Sequence, residues 1–169
     1  MNIKNMKGIV MVGALCAITT AWAEEGGNTP ALAKAVAGAS VTLQQGLAAS
    51  ADQGRAISAK YEIDEGKFQL SVYTEKTGKF SEVVIDHTTG KVAKSEAITS
   101  GDDLKEAKEQ SHAMANIKGT LKTAVDQAEH ASPGFRAVSV EPEMKAGRTV
   151  AAVTLVKGSQ FTSVSEPLE

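Results

Sequence analysis

Residues 55–96 decide the fold and read RAISAKYEIDEGKFQLSVYTEKTGKFSEVVIDHTTGKVAKSE. In the first run, apolar side chains alternate with polar ones, which predicts a β-strand with one apolar face. The apolar members are Ile57, Ala59, Tyr61 and Ile63. Turns at Gly66, Gly78 and Gly90 separate the four runs, because glycine reaches the positive φ of a tight turn without steric cost. The stretch therefore predicts an antiparallel β-meander.

A helix is predicted ahead of the meander, over residues 31–51, where apolar residues recur with a 3.6-residue period. Thr29 as N-cap and Pro30 at the first helical position mark its start. The apolar stripe of this helix contains Leu43 and Leu47. We expect Phe68, together with Leu70 on the second strand, to pack against that stripe, because each element has one apolar side to bury.

A second helical region is predicted from Asp103, since Glu106 follows three residues later and completes the pattern of a capping box. This region extends to about Ala131, with Gly119 as its break. Further strand-like runs follow it. They cover residues 135–144, 148–156 and 160–165.

The second half of the chain repeats the first. The segment Arg55-Ala-Ile-Ser in the first half corresponds to Arg136-Ala-Val-Ser at the equivalent place in the second half. The sequence therefore predicts an α+β fold of two repeated units, each a helix packed on an antiparallel β-meander of about three to four strands. We place the units at 31–98 and 99–169, after a mobile segment at 24–30.

The first 23 residues predict a secretory signal peptide. Lys4 and Lys7 precede an apolar run that is too short to span a membrane, and residues 21–23 read Ala-Trp-Ala, a pattern typical of a signal-peptidase site. We expect cleavage after Ala23, no membrane span in the mature chain, and a periplasmic or secreted protein. The alternative is a retained membrane anchor.

Composition excludes several classes of function. Removal of residues 1–23 takes away two of the 18 basic residues and none of the 20 acidic ones, which leaves a net charge of −4. This balance argues against nucleic-acid binding and against a polybasic membrane-surface patch. The one cysteine, Cys16, lies in the signal, so the mature chain has no disulfide, thiolate metal site or cysteine nucleophile.

The first unit resembles the PepSY domain family. Residues 66–72 read GKFQLSV, and residues 86–92 form a D-x-x-T-G-K-V turn. The resemblance is good over 42–94 and weaker over 120–165, where that turn is missing. It implies an exported or membrane-attached module of a family that occurs in propeptides of thermolysin-like metallopeptidases and is proposed to restrain peptidases. The tandem layout is also similar to the beta-lactamase inhibitor protein family, which binds its enzyme through a sheet surface.

The faces of the strands that point away from the helices are candidate partner-binding surfaces. Tyr73 and Val84 fall on that face in the first unit, and Val150 and Ala152 on that face in the second. A sheet covered by one helix has one polar face, so apolar residues there predict a further contact. The contact is either packing of one unit on the other, a second subunit in a homodimer, or a client protein.

The three histidines give no metal signature. His87 lies in a turn, whereas His112 and His130 lie in helical segments without a second histidine three or four residues away. His112 and His130 are the only metal-ligand candidates, and no cofactor is predicted. Catalytic patterns of paired carboxylates or a phosphate-binding loop are also missing from the sequence.

The sequence therefore favours a non-enzymatic exported protein that binds or restrains another protein, with a peptidase as one candidate partner. The alternative is a periplasmic protein that binds or senses a metal or small ligand.

Overall fold

The structure, a computed structural model, describes residues 27–168; the predicted signal peptide and residues 24–26 of the predicted mobile segment lie outside this range. The helices are α1 (Pro30–Gly38), α2 (Leu43–Ala49), α3 (Gly101–Met114) and α4 (Leu121–Ala131). The strands are β1 (Arg55–Asp64), β2 (Lys67–Lys76), β3 (Lys79–Ile85), β4 (Val92–Ile98), β5 (Arg136–Lys145), β6 (Arg148–Lys157) and β7 (Gln160–Pro167).

All seven strands form one antiparallel sheet in the order β4-β3-β2-β1-β5-β6-β7. The predicted α+β class is therefore confirmed. Two meanders, β1–β4 and β5–β7, meet where β1 pairs with β5, and in that pairing Ala59 lies opposite Val140 and Lys60 opposite Ser139. This pairing covers the middle of the edge that the first strand of each meander would otherwise expose.

The prediction of one helix over residues 31–51 is wrong, because the chain forms α1 and α2 with a break between them. Thr42 begins the second helix with a capping box. Its hydroxyl accepts a hydrogen bond from Gln45 N at 3.2 Å, and the Gln45 side-chain oxygen accepts one from Thr42 N at 2.8 Å. These bonds satisfy backbone N–H groups at the start of a helix. In a continuous helix the same N–H groups would instead donate to carbonyl oxygens of the preceding turn.

The start of α3 also differs from the prediction. Its N-cap is Ser100, which makes no side-chain capping bond, and the helix begins at Gly101. The predicted capping box at Asp103 does not form; Glu106 instead accepts a hydrogen bond from Gln110 one turn later at 2.8 Å. Asp103 lies in the first turn, where its negative charge interacts favourably with the helix dipole. The predicted break near Gly119 is confirmed, since α4 starts after Thr120.

The main core lies between α1, α2, α4 and one face of the sheet, which we call the inner face. Most of its fully buried strand residues alternate along each strand, as a half-covered sheet requires. The alternating set is Ala59, Tyr61, Leu70, Val72, Val83, Ile85, Val140, Ala151, Val153 and Leu155. The alternation is interrupted near the β5–β6 register shift, where Ala137, Val138 and Val156 are also buried.

The prediction that Ile57 shares this inner face is wrong. The β1–β2 register shifts between Ala56 and Ser58, so β1 carries a bulge at Ile57. A bulge adds one residue to a strand and reorients the side chains beside it. Ile57 accordingly packs with Phe80 and Ala107 in a second, smaller apolar cluster.

Leu70 and Phe68 both pack against the main core, but to different depths. Leu70 is fully buried beneath Gly46 of α2, as predicted from the two apolar faces. Phe68 is only half-buried: its ring stacks on Tyr61 at 5.5 Å between centroids and contacts the His87 ring at 4.7 Å. The predicted packing of this pair is therefore carried mainly by Leu70.

Strand β4 forms one edge of the sheet and pairs, within the described chain, only with β3. Residues 92–97 are exposed, and Val92 is one of two large apolar side chains that the described chain exposes. In the same part of the protein, none of the helices is long and apolar enough to cross a membrane.

Candidate functional site: the outer face of the sheet

The outer face is the side of the sheet opposite α2 and α4. Strand register places its residues in rows that cross β1, β2 and β3: Ser58, Tyr73 and Glu82 form one row, and Lys60, Ser71 and Val84 form the next. Helix α3 packs over β1, β2 and β5, which are at the centre of the sheet. The outer face is therefore covered in the middle and more open towards β3 and β4.

Helix α3 contacts the sheet through both polar and apolar side chains. The Ser58 hydroxyl donates to the side-chain oxygen of Gln110 at 2.7 Å, and both residues are buried. Beside this bond, Ala107 packs in the second apolar cluster with Ile57 and Phe80. The bulge in β1 makes this possible, because it turns Ile57 towards α3.

Next to α3, four polar side chains form one hydrogen-bonded cluster, which we call the Ser71 cluster: Glu62, Gln69, Ser71 and Glu82. The Ser71 hydroxyl lies 2.6 Å from Glu62 Oε1 and 2.8 Å from Glu82 Oε1. The Gln69 amide nitrogen lies 3.1 Å from Glu62 Oε1 and 3.4 Å from Glu82 Oε1. Serine has one hydroxyl proton, so the amide protons of Gln69 are needed to serve both carboxylates.

Glu62 is charged in this cluster although it is largely buried, with 16% of its side chain exposed. Burial raises the pKa of Glu62, but hydrogen bonds from Ser71 and Gln69 and the ion pair with Lys60, at 2.9 Å, lower it by more. The net pKa of Glu62 lies below its usual value. The Ser71 cluster is therefore pre-organised, because hydrogen bonds from the Ser71 hydroxyl and the Gln69 amide hold the Glu62 and Glu82 carboxylates in place.

Tyr73 is half-buried between this cluster and α3. Its ring packs against the apolar cluster of Ile57, and the Lys60 ammonium lies 5.6 Å from the ring centroid. Burial raises the pKa of Tyr73 further above its ordinary value, at which the hydroxyl is already protonated at neutral pH. Tyr73 can thus offer a partner both an apolar ring edge and a hydrogen-bond donor.

A cleft of about 190 Å³ opens between α3 and the centre of the sheet. Its lining includes Ser58, Lys60, Tyr73, Gln110, Ser139 and Glu141. Ligand sites for drug-sized molecules usually enclose roughly 300–1,000 Å³. The cleft is therefore too small to enclose such a molecule, although a single side chain from another protein would fit.

The four predicted partner-binding residues are all half-buried. Tyr73 and Val84 share the open part of the outer face on β2 and β3. Val150 and Ala152 lie on β6, beyond β5, where Ala152 pairs with Glu141 and Val150 with Glu143. Because α3 covers the strands in between, the structure separates the two pairs instead of joining them into one patch.

The histidines lie on separate elements. His112 is in the last turn of α3 and His130 in the last turn of α4, and both are exposed. His87 packs its ring on Phe68, while its carbonyl accepts hydrogen bonds from the backbone of Ser40 and Val41. Across residues 27–168, no group of three or more His, Cys, Asp or Glu side chains is arranged to hold a metal ion.

Sequence reasoning missed the Ser71 cluster. Glu62, Ser71 and Glu82 each occupy a polar position in an alternating strand, so the pattern already predicts that they face away from the main core. Their contact depends on strand register, since Ser71 bonds diagonally to residues on both neighbouring strands. The turns at Gly66 and Gly78 set the register of β1, β2 and β3, and this register is the sequence signal from which the contact can be predicted.

No family model matches this chain, and no curated protein matches it. A solved structure that is similar to it comes from Clostridium difficile 630 and is described as a "putative lipoprotein". The two share 15% identity with a TM-score of 0.42, over 71% of this chain and 79% of the other.

Proposed function

We propose that this protein is an exported, non-enzymatic module that binds and restrains another protein, with an exported peptidase as the partner. The proposal includes a chain built from two PepSY-like units, 31–98 and 99–169, and a signal peptide over residues 1–23. It rests on the signal pattern, on the resemblance to PepSY domains and on the outer face described above.

The two-unit interpretation is supported by the equivalent positions and register shifts of the matching R-A-[IV]-S segments. Each opens the first strand of its meander, and each strand has a register shift after its alanine, between Ala56 and Ser58 in β1 and between Ala137 and Ser139 in β5. Bulges at equivalent positions are typical of related units.

The observation that carries the proposed function is the open part of the outer face. Val84 lies there between Ser71 and Lys94 in the strand register, next to Glu82 of the Ser71 cluster. An apolar side chain beside a fixed carboxylate pair fits a partner surface that presents an apolar residue next to Arg or Lys. The small volume of the neighbouring cleft favours a protein over an enclosed small ligand.

The test is site-specific photo-crosslinking in cells that export the protein. A photoreactive residue at Val84 should capture one exported peptidase, whereas the same residue at Lys122, which is exposed on α4, should not. The captured peptidase, once purified, should bind the parent protein and lose activity as it binds. Val84→Glu should weaken that binding at least about tenfold, because it places a third carboxylate beside Glu82.

Thermal melts control for folding. Val84 is half-buried on the outer face, so the Val84→Glu protein should still melt cooperatively. Two results would refute the proposal: capture from Val84 and Lys122 alike, or a captured protein that binds the Val84→Glu variant as tightly as the parent. A captured exported protein whose activity does not change on binding would remove the restraint of a peptidase from the proposal.

A further inference from the structure

The free edge of the sheet, strand β4, has a sequence that is complementary to itself. It reads Val-Ala-Lys-Ser-Glu-Ala-Ile over Val92–Ile98, with Ser95 at its centre. Lys94 and Glu96 are equidistant from that centre, and so are the two alanines and the two terminal β-branched residues. If two copies of β4 run antiparallel about Ser95, each residue therefore meets one of matching chemistry.

Charge selects this arrangement over the others. With Ser95 at the centre, each Lys94 lies opposite Glu96 of the partner subunit. Within each copy Lys94 and Glu96 already form an ion pair at 2.8 Å, so the four side chains make a row in which every neighbour has the opposite charge. A centre at position 94 or 96 would place two lysines or two glutamates opposite each other. Parallel, in-register pairing would also stack like charges.

The edge is accessible to a second copy. Lys94 and Glu96 each expose 58% of their side chains, and residues 92–97 are all exposed. A lysine on an edge strand normally discourages pairing with other strands, because its charge would be brought against another sheet. In β4, Glu96 of a second copy neutralises Lys94 in only one antiparallel register, the one centred on Ser95. The same lysine that disfavours pairing with other strands therefore allows pairing with a second β4.

We propose that this protein forms a two-fold symmetric dimer in which the β4 strands of two copies pair antiparallel about Ser95. The two sheets then join into one of fourteen strands. This interface is isologous, so it closes on itself and leaves only the two β7 strands as edges. It goes beyond the proposed function, since it does not use Tyr73 or Val84.

The dimer should be weak and reversible. One seven-residue strand pair buries less surface than the roughly 1,200–2,000 Å² of a stable interface. We therefore expect a dissociation constant in the micromolar range, with dimers that appear as the protein concentration rises.

Sedimentation of the purified protein over a range of about 10–500 µM tests this, with charge variants of β4 beside the parent. Lys94→Glu and Glu96→Lys each turn two attractive pairs into repulsive ones and should weaken the dimer about tenfold or more. A 1:1 mixture of the two variants should restore dimers, because every cross-strand pair is attractive again. Lys105→Glu, an exposed change of equal charge on α3, should behave as the parent does.

The inference is overturned if the parent stays monomeric at the highest concentration, or if open-ended polymers form. It is also overturned if Lys94→Glu and Glu96→Lys dimerise as strongly as the parent, or if a 1:1 mixture of the two variants forms no more dimer than either variant alone. Circular dichroism of each variant confirms that these exposed changes leave the fold unaltered.

Discussion

Arg55 and Arg136, the first residues of β1 and β5, each hold the connection between two helices from the other half of the chain. Arg136 donates to the carbonyl oxygens of Ala39 at 2.9 Å and Val41 at 2.5 Å, in the α1–α2 connection. Arg55 donates to the carbonyl oxygens of Met114 at 2.5 Å and Ile117 at 3.2 Å, between α3 and α4. The two halves are thus tied to each other in both directions.

Arg136 should matter more than Arg55 for stability. Arg136 is half-buried and its guanidinium lies 5.8 Å from the Tyr61 ring centroid, whereas Arg55 is exposed. Removing a donor from buried acceptors costs about 1–3 kcal/mol. We expect Arg136→Ala to lower the melting temperature by about 5–10 °C and Arg55→Ala by less than half of that.

Arg148→Ala is the matched control, since Arg148 is exposed at the start of β6, and it should change the free energy of unfolding by less than about 0.5 kcal/mol. Arg136→Lys should not restore stability, because one ammonium group cannot reproduce the fork that reaches two carbonyls. Equal effects of the three alanine variants in thermal melts would contradict the proposed role of these contacts.

Gly46 of α2 lies so close to Leu70 that we expect any larger residue at position 46 to destabilise the fold. A Cβ at position 46 would lie 2.5 Å from Leu70 Cδ2, and Leu70 is fully buried with little room to move. Alanine gains up to about 1 kcal/mol in helix propensity, but overpacking a core costs about 1–3 kcal/mol. Gly46→Ala should therefore lower the free energy of unfolding in urea titrations.

The double variant Gly46→Ala/Leu70→Val tests the cause. Valine lacks the methyl group that clashes, so the double variant should be more stable than the sum of the two single changes predicts. Gly38→Ala in α1 is the control, because nothing lies within 4 Å of the added Cβ, and it should be neutral or stabilising. A destabilising Gly38→Ala or strict additivity at positions 46 and 70 would exclude the clash as the cause.

Glu62 should make the protein sensitive to acid. Its pKa is lower in the folded protein than in the unfolded chain, so its charge stabilises the fold above the unfolded pKa of about 4.3. That stabilisation is lost as the pH falls through the lower, folded pKa. Melting temperatures between pH 7 and pH 3 should therefore fall more steeply for the parent than for Glu62→Gln.

Glu109→Gln, an exposed change on α3, should keep the acid sensitivity of the parent. If Glu62→Gln and the parent lose stability in parallel on acidification, the Ser71 cluster does not hold Glu62 in its charged form.

The hairpins could be predicted closely, whereas the faces of the strands could be predicted only in part. Turn glycines such as Gly66, at φ +77°, fix where β1 ends and β2 begins, since the information is local. Alternation predicts the wrong face for Ile57, because a bulge shifts the alternation by one residue and a bulge depends on the partner strand. The same holds for the candidate site: alternation predicts the outward position of Tyr73 and Val84, whereas the Ser71 cluster depends on the register of three strands.

The sequence by itself determined the α+β class, the turns and the side of most strands that faces the helices, because these follow from backbone preferences and from the periods of 2 and 3.6 residues. Only the tertiary structure decided that β1 pairs with β5, that α3 lies across the outer face and that β4 stays at an edge. Those outcomes depend on contacts between residues far apart in the chain, such as Ser58 with Gln110 and Arg136 with Val41. Such contacts are chosen by the packing of whole elements, which no local pattern encodes.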